Sequence, residues 1–283
     1  MITQNESKVN TYLSGANRCL IIQNCDSGKG KKPTPEQLMK SFDLNQDFVV
    51  YDGNQEIRDY LDIIVSGGDG TISNAVNLCN QDSHRLYYAP TGTINDFGKI
   101  GKQSPTPIIG KANDKRFCYV LASGTFTSIG YTAKRKVKVR LGRIAYFLEA
   151  LKAFKIQNID ANIHTEKNRY SGSYTLIMCL RSPRCFGFNF NKLYNPNKKE
   201  LYLLLIEAPK NRLSLFLKFF RCFFVGFNKP YCKNGIIFSP INYADIDFNN
   251  DISFCLDGDE EVCTSPLHLS TTVFNGTITI RRR

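Results

Sequence analysis

The sequence predicts a doubly wound α/β layer followed by antiparallel β structure, and three observations carry that reading. The first third alternates short, β-branched apolar runs with helical stretches, the pattern of parallel strands covered on both faces. From Phe117 onward strand-like runs follow one another closely with Gly, Asn and Pro between them, the pattern of antiparallel β structure. The chain has 283 residues, more than the roughly 100–200 of one average domain. The texture changes near residue 124, which places the boundary between the two predicted domains there.

In order, CLIIQ (19–23) reads as a buried strand, PEQLMKSF as a helix opened by Pro33 and Pro35, DFVVYD as a strand, NQEIRDYL as a helix and DIIVS as a strand. YVLASGTF, KVKVRL, YTLIMCL, LYLLLIEA, ADIDF, DISFCL and TITIRR read as the strands of the second part. Two helices interrupt them. Gly142–Phe154 has helical apolar spacing, and residues 213–227 place Phe216, Phe219, Phe220, Phe223, Phe224 and Phe227 on one face with Ser214, Lys218 and Arg221 opposite. That face fits a core-facing helix or an interfacial one whose cations meet headgroups.

Apolar residues make up 42% of the chain and aromatics 12%, which excludes disorder. Ten cysteines without a C-x-x-C pair indicate neither zinc-finger spacing nor a disulfide framework and fit a cytoplasm. The polar start MITQNESKVN does not support secretion, and no run of about 18 apolar residues suggests a membrane span. The net charge of +12 calls for an anionic partner. It is unevenly placed: residues 111–155 carry eleven Lys/Arg against Asp114 and Glu149, including Lys134, Arg135, Lys136, Lys138, Arg140 and Arg143. Residues 208–233 add six cations and no acid, whereas 234–280 hold seven acids and no Lys or Arg. Nucleic acid is not the expected partner, because no recognisable module with aromatic stacking residues accompanies the cations. His84, His164 and His268 have no partner in sequence and read as packing or surface residues.

Three strand ends carry small and hydroxyl residues. The strand DIIVS runs into Gly67, Gly68, Asp69, Gly70 and Thr71 at the start of a helix. Glycines there let the backbone turn sharply and approach a ligand, and the helix N–H groups attract phosphate. After LYYA comes Pro90-Thr91-Gly92-Thr93-Ile94-Asn95-Asp96-Phe97, and after the first strand Asn24-Cys25-Asp26-Ser27-Gly28-Lys29-Gly30. Together they read as a nucleotide phosphate cradle, since ligands bind at strand carboxyl ends in such sheets.

With these residues in view the sequence resembles the diacylglycerol kinase catalytic family in its bacterial soluble form, which is related to sphingosine-type kinases and NAD kinases. GGDGT stands at 67–71, P-x-GT-x-NDF at 90–97, and NCDSGKG is similar to the family's N-P-x-S-G loop with Cys25 for Pro. ASGTFTSIGY and LGRIAYFLEALK are similar to segments opening the family's second domain, and Leu256-Asp257-Gly258-Asp259 stands at its D-G-E motif with Asp in the Glu position. The resemblance implies a Rossmann-like domain, then an antiparallel β-sandwich, with the C-terminal strand returning to the first domain, so that the domains are 1–124 with about 274–283, and 125–273. It implies that Asn24, Ser27, Gly28, Gly67, Gly68, Asp69, Gly70, Thr71 and Thr93 hold ATP, that Asp69 and Asp96 lie near Mg²⁺, and that Asp257 and Asp259 supply the base. A carboxylate is what the chemistry needs: a hydroxyl attacking a phosphoryl group must lose its proton while cations and backbone donors neutralise phosphoryl charge.

The family's Asp-Gly pair that helps hold a structural Mg²⁺ is replaced here by Pro196-Asn197-Lys198-Lys199-Glu200-Leu201, where lysines repel a second metal. The expected activity is ATP-dependent phosphorylation of a lipid hydroxyl, diacylglycerol first, at the inner face of an anionic membrane to which a cytoplasmic protein attaches peripherally. Another lipid, such as a sphingoid base, ceramide or phosphatidylglycerol, or NAD, is the alternative acceptor, and a weakly active lipid- or nucleotide-binding regulator the alternative role. An exposed sheet edge would allow a homodimer.

Overall fold

A computed structural model describes residues 18–28, 31–79, 84–92, 95–100, 107–125 and 157–281. Thr93, the cations 134–143 and the helix expected over 142–154 lie outside them. The chain divides into two compact units, 1–107 with 273–283 and 108–272. The division falls at Pro107 rather than near residue 124, because the strands between those points pair within the second unit.

In the first unit β1 (Arg18–Gln23) leads to α1 (Pro35–Ser41), β2 (Asp47–Val50), β3 (Asp62–Gly67), α2 (Asp69–Leu78) and β4 (His84–Pro90). α1 begins with a reciprocal cap: Gln37 N–H donates to Thr34 Oγ1 at 3.3 Å and Thr34 N–H to Gln37 Oε1 at 3.0 Å. Its Leu38 and Met39 pack on Cys19, Ile21, Ile64 and Ala89. The helix expected at NQEIRDYL is only a 3-10 turn at Ile57–Asp59. Asp52 and Gln55 side chains take the backbone N–H groups of Asn54 and Asp52, at 3.0 and 2.9 Å, and such local bonds compete with a helix. β3 is buried throughout. Its one charge, Asp62, accepts from Gln46 Nε2 (2.8 Å), Arg85 (2.6 Å) and Tyr87 Oη (3.1 Å), so that amino-end acid is a satisfied part of the framework.

The second unit holds β5 (Ile108–Ala112), β6 (Lys115–Phe117), β7 (Val120–Gly124), β8 (Ile159–Thr165), β9 (Arg169–Leu180), β10 (Arg184–Cys185), β11 (Phe188–Asn189) and β12 (Leu201–Glu207). Then come α3 (Arg212–Phe220), a π turn (Arg221–Val225), β13 (Tyr231–Lys233), β14 (Ile236–Ile241), β15 (Ala244–Phe248), β16 (Ile252–Leu256), β17 (Asp259–Cys263) and β18 (Leu267–Val273). Twelve of these strands form one antiparallel sheet along β13-β14-β12-β9-β8-β15-β18-β5-β6, with β7 between β9 and β16 and β17 beside β16. Residues from both ends of that path share one core: Phe117, Leu121, Leu205, Phe254 and Leu269 belong to a single cluster.

The closing strand β19 (Gly276–Ile280) lies in the first unit, parallel to β4. The first sheet is therefore all parallel, in the order β19-β4-β3-β1-β2. This confirms an α/β domain with a returning C-terminal strand and a β-rich domain between. No disulfide joins the ten cysteines; burial pushes the Cys19 and Cys222 thiols up to about 12, so they pack as small apolar groups. Among the described residues no helix is long and apolar enough to cross a membrane.

Candidate active site

The strand order places β2 and β3 on opposite sides of β1. Successive connections therefore leave β1 in opposite directions, which opens the sheet at the carboxyl ends of β1 and β3. The three motif loops meet there. Asn24 N–H donates to Ser66 O at 2.9 Å, and Thr91 and Gly92 N–H both donate to Gly67 O, at 2.8 and 3.1 Å. Ser27 Oγ lies 3.2 Å from Thr91 Oγ1. The approach is close enough to dictate residue type: Gly28 has φ +72°, and a Cβ there would fall 1.9 Å from Thr91 O. A Cβ on Gly92 would fall 2.6 Å from Gly68 Cα.

Gly67 ends β3, Gly68 caps α2, and Asp69, Gly70 and Thr71 form its first turn. A helix start offers N–H groups that its own turns do not need, although Thr71 N–H here closes on Gly68 O at 3.1 Å. Asp69 has a defined task. Its Oδ2 accepts from Asp96 N–H at 2.8 Å and its Oδ1 from Phe97 N–H at 3.0 Å. The carboxylate thus clamps the loop after β4 to the loop after β3, and Asp96 is buried beside it. Asp69 and Asp96 bring two carboxylic residues together at this junction, and Mg²⁺ is held by one or two carboxylates together with phosphate oxygens. Among the described residues no group of three or more His, Cys, Asp or Glu could hold a metal alone.

Two polar atoms join the site that motif reasoning did not single out. Asn95 sits at φ 50° and donates from Nδ2 to Gly92 O at 2.7 Å, while its buried Oδ1 and the buried Ser66 Oγ have no hydrogen-bond partner. A buried acceptor without a donor is costly, and both atoms lie at the loop junction. Asn95 was within reach of the sequence as the middle of the INDF run; Ser66 looked like one more strand residue.

The LDGD motif lies in the second unit as a two-residue hairpin between β16 and β17, with Leu256 opposite Asp259. Asp257 at φ 52° and Gly258 at φ 112° supply the two positive φ values that such a turn needs. Structure separates the two acids. Asp257 is 1% exposed; its Oδ1 accepts from Tyr119 and Val120 N–H at 3.0 and 2.8 Å, and its Oδ2 from Cys118 N–H. It fastens the hairpin to the β6–β7 turn. Asp259 is exposed at the start of β17.

The stretch for which the resemblance implies a structural Mg²⁺ takes its positive charge from within the chain. Arg181 is 1% exposed and donates to Asn195 O at 3.3 Å and Pro196 O at 2.7 Å, with its guanidinium over the Tyr194 ring at 5.1 Å. Desolvation by burial holds it below the usual arginine range. With those carbonyls already accepting from a cation and Lys198 and Lys199 following, the residues do not fit a metal there.

Comparison with known proteins agrees with the motifs. Residues 18–108 match the family model described as "Diacylglycerol kinase catalytic domain". A diacylglycerol kinase of Staphylococcus carnosus is 29% identical over 203 residues, 60% of this chain and 66% of that protein, just under two thirds of its length. One of Staphylococcus aureus is 26% identical over 230 residues, 70% of this chain and 72% of that protein. A solved structure of a diacylglycerol kinase from Bacillus anthracis superposes with a TM-score of 0.66 at 17% identity, covering 94% of this chain and 97% of that one. Another from the same organism reaches 0.71 at 16% identity, covering 95% and 98%; at such identities the likeness is one of fold. The motif-bearing stretch is thus similar to the diacylglycerol kinase catalytic domain, and the fold is shared along almost the whole chain.

Proposed function

We propose that the protein is an ATP-dependent lipid kinase that transfers the γ-phosphoryl group to a lipid hydroxyl, with diacylglycerol as acceptor and phosphatidic acid as product. One observation carries the reading: the loops after β1, β3 and β4 are joined at the sheet's switch point, too tightly at Gly28 and Gly92 for any side chain, with α2 beginning at the junction. Backbone N–H groups, small residues and a helix start are what polyphosphate recognition requires. Asn24, Ser27, Gly28, Gly67 to Thr71 and Thr93 hold the nucleotide, joined by Asn95. Asp69 and Asp96 are the residues that would hold a Mg²⁺ bound with ATP, which would supply neutralisation of phosphoryl charge.

Asp259 accepts the hydroxyl proton. Asp257 is unsuited to that step because both its oxygens are engaged by backbone N–H groups of the β6–β7 turn. The test is transfer from [γ-³²P]ATP to diacylglycerol in anionic mixed micelles. Asp259→Asn is expected to lower kcat about 10²- to 10⁴-fold with the KM for ATP and the melting temperature close to the parent's. Unchanged kcat would remove Asp259 from the mechanism. Activity on a sphingoid base, ceramide or phosphatidylglycerol in preference to diacylglycerol would move the acceptor, and no transfer to any of the four would favour a binding regulator.

A further inference from the structure

Helix α3 and the π turn after it are apolar on two opposite sides. On one, Leu215, Phe219, Cys222 and Phe223 are buried, and Phe223 meets Phe190 edge-on at 4.9 Å. On the other, Leu213 is 67% exposed, Leu217 57% and Phe220 44%. Half-buried Phe216 and Phe224 flank Phe220, with ring centroids 6.1 and 4.9 Å away. Positions 213, 217, 220 and 224 recur at the spacing of one helix face. Of the ten large apolar side chains exposed among the described residues, four (Leu213, Leu217, Phe220 and Val225) fall within this one segment. Exposed apolar residues scattered singly are ordinary; a contiguous ridge marks an interaction surface.

The charges around the ridge are of one sign. Residues 208–233 contain six Lys/Arg and no Asp or Glu. Lys218 and Arg221, which the sequence pattern places opposite the phenylalanines as headgroup contacts, are committed within the protein. Lys218 donates to Glu207 O at 2.9 Å, and Arg221 donates to Gly226 O at 2.5 Å while covering the Phe227 and Tyr231 rings. Lys210 and Arg212 just before the ridge and Lys229 just after it are exposed. A second copy of the chain would bring those same cations against one another in a two-fold contact. An anionic bilayer accepts both features, apolar side chains below the headgroups and cations at their level.

We infer that the ridge Leu213–Leu217–Phe220–Val225, with Lys210, Arg212 and Lys229 beside it, is the surface by which the protein docks on an anionic lipid bilayer. The inference rests on the reading of the chain as an enzyme acting on a lipid, and it adds the face that the second unit turns toward that lipid's membrane. The test is co-sedimentation with phosphatidylcholine vesicles containing 0 or about 30% phosphatidylglycerol, without ATP, for the full chain and for Leu217→Glu/Phe220→Glu. Both positions are exposed, so the variant is expected to melt with the parent. Binding to the anionic vesicles is expected to fall about tenfold or more in the variant, as two large apolar groups no longer leave water. It should also weaken with salt, while phosphorylation of a water-soluble short-chain diacylglycerol stays within about twofold.

Unchanged vesicle binding by the variant would overturn the assignment, as would equal binding to neutral and anionic vesicles. A solution dimer that the double variant dissolves would overturn it in favour of a second copy. Vesicle binding is read without catalysis. Ridge-dependent binding in a protein that phosphorylates no lipid would therefore uphold the docking face and remove the kinase reading; lipid phosphorylation with ridge-independent binding would do the reverse.

Discussion

At the residue scale the acids sort by what holds their oxygens rather than by their motifs. Asp257 and Asp259 stand two apart and look equivalent in sequence, yet Asp257's three backbone donors lie 137 to 139 residues away. No local pattern can report a bond across that distance, which is why the motif alone left the base divided between them. Asp257→Asn would turn one oxygen into an N–H donor aimed at backbone N–H groups. The expected loss is roughly 1–3 kcal/mol for the unsatisfied buried groups, seen as a lower midpoint in urea unfolding, whereas Asp259→Asn should leave that midpoint in place. Gly28 was legible because the Asn-Cys-Asp-Ser-Gly pattern that singles it out is local, although the group that excludes a side chain there is Thr91 O in the loop after β4. Gly28→Ala combines a Cβ 1.9 Å from Thr91 O with a positive φ. The left-handed conformation alone costs about 1–2 kcal/mol, and titration with a fluorescent ATP analogue should show weakened binding.

At the scale of elements, strand-turn-helix units were readable wherever local chemistry agreed with the tertiary outcome. The run from β3 through Gly68 into α2 is the clearest case. It failed at residues 54–61, where the Asp52 and Gln55 side chains hold a local turn through the Asn54 and Asp52 N–H groups and only a 3-10 turn at Ile57–Asp59 follows. For α3 the phenylalanine spacing predicted a helix and a preferred face, but the structure divides those rings, burying Phe219 and Phe223 and leaving Phe220 outside. Period alone identifies a helix and cannot say which side meets the core when both sides are apolar. The loop after β11 makes the same point for charge. Its lysines argued against a metal, but only the fold reveals that Arg181, from β9's end, reaches the Asn195 and Pro196 carbonyls. Arg181→Met, which keeps the stem and removes the donors, is expected to leave those carbonyls unpaired. Faster cleavage of the 193–200 loop in limited proteolysis would register it, and added Mg²⁺ should not restore resistance.

At the scale of the molecule, two units with separate cores divide the candidate functional parts, the parallel sheet carrying the phosphate loops and the antiparallel one the Asp259 hairpin and the exposed ridge, while the basic segments seen in the sequence and the acids of 234–280 all fall in the second unit. The boundary near residue 107 escaped notice because β5 to β7 look like any short strands; only their partners β9, β16 and β18, far along the chain, assign them to the second unit. The discontinuity of the first unit is itself testable. Deleting residues 276–283 removes β19, whose five residues pair with His84–Tyr88. ATP binding is expected to fail through loss of the first sheet while the second core, to which β19 adds no residue, keeps its protection in hydrogen exchange.

That returning strand also sets an order of events during synthesis. Domains generally fold from the N-terminus as the ribosome releases them, but here β4 lacks its β19 neighbour until the whole second unit has been translated. The nucleotide sheet, first to begin, is last to finish. In the interval β4 presents an open strand edge, the kind of surface that pairs with other chains, so a nascent chain stalled within the second unit should be a stronger client for chaperones than the released protein.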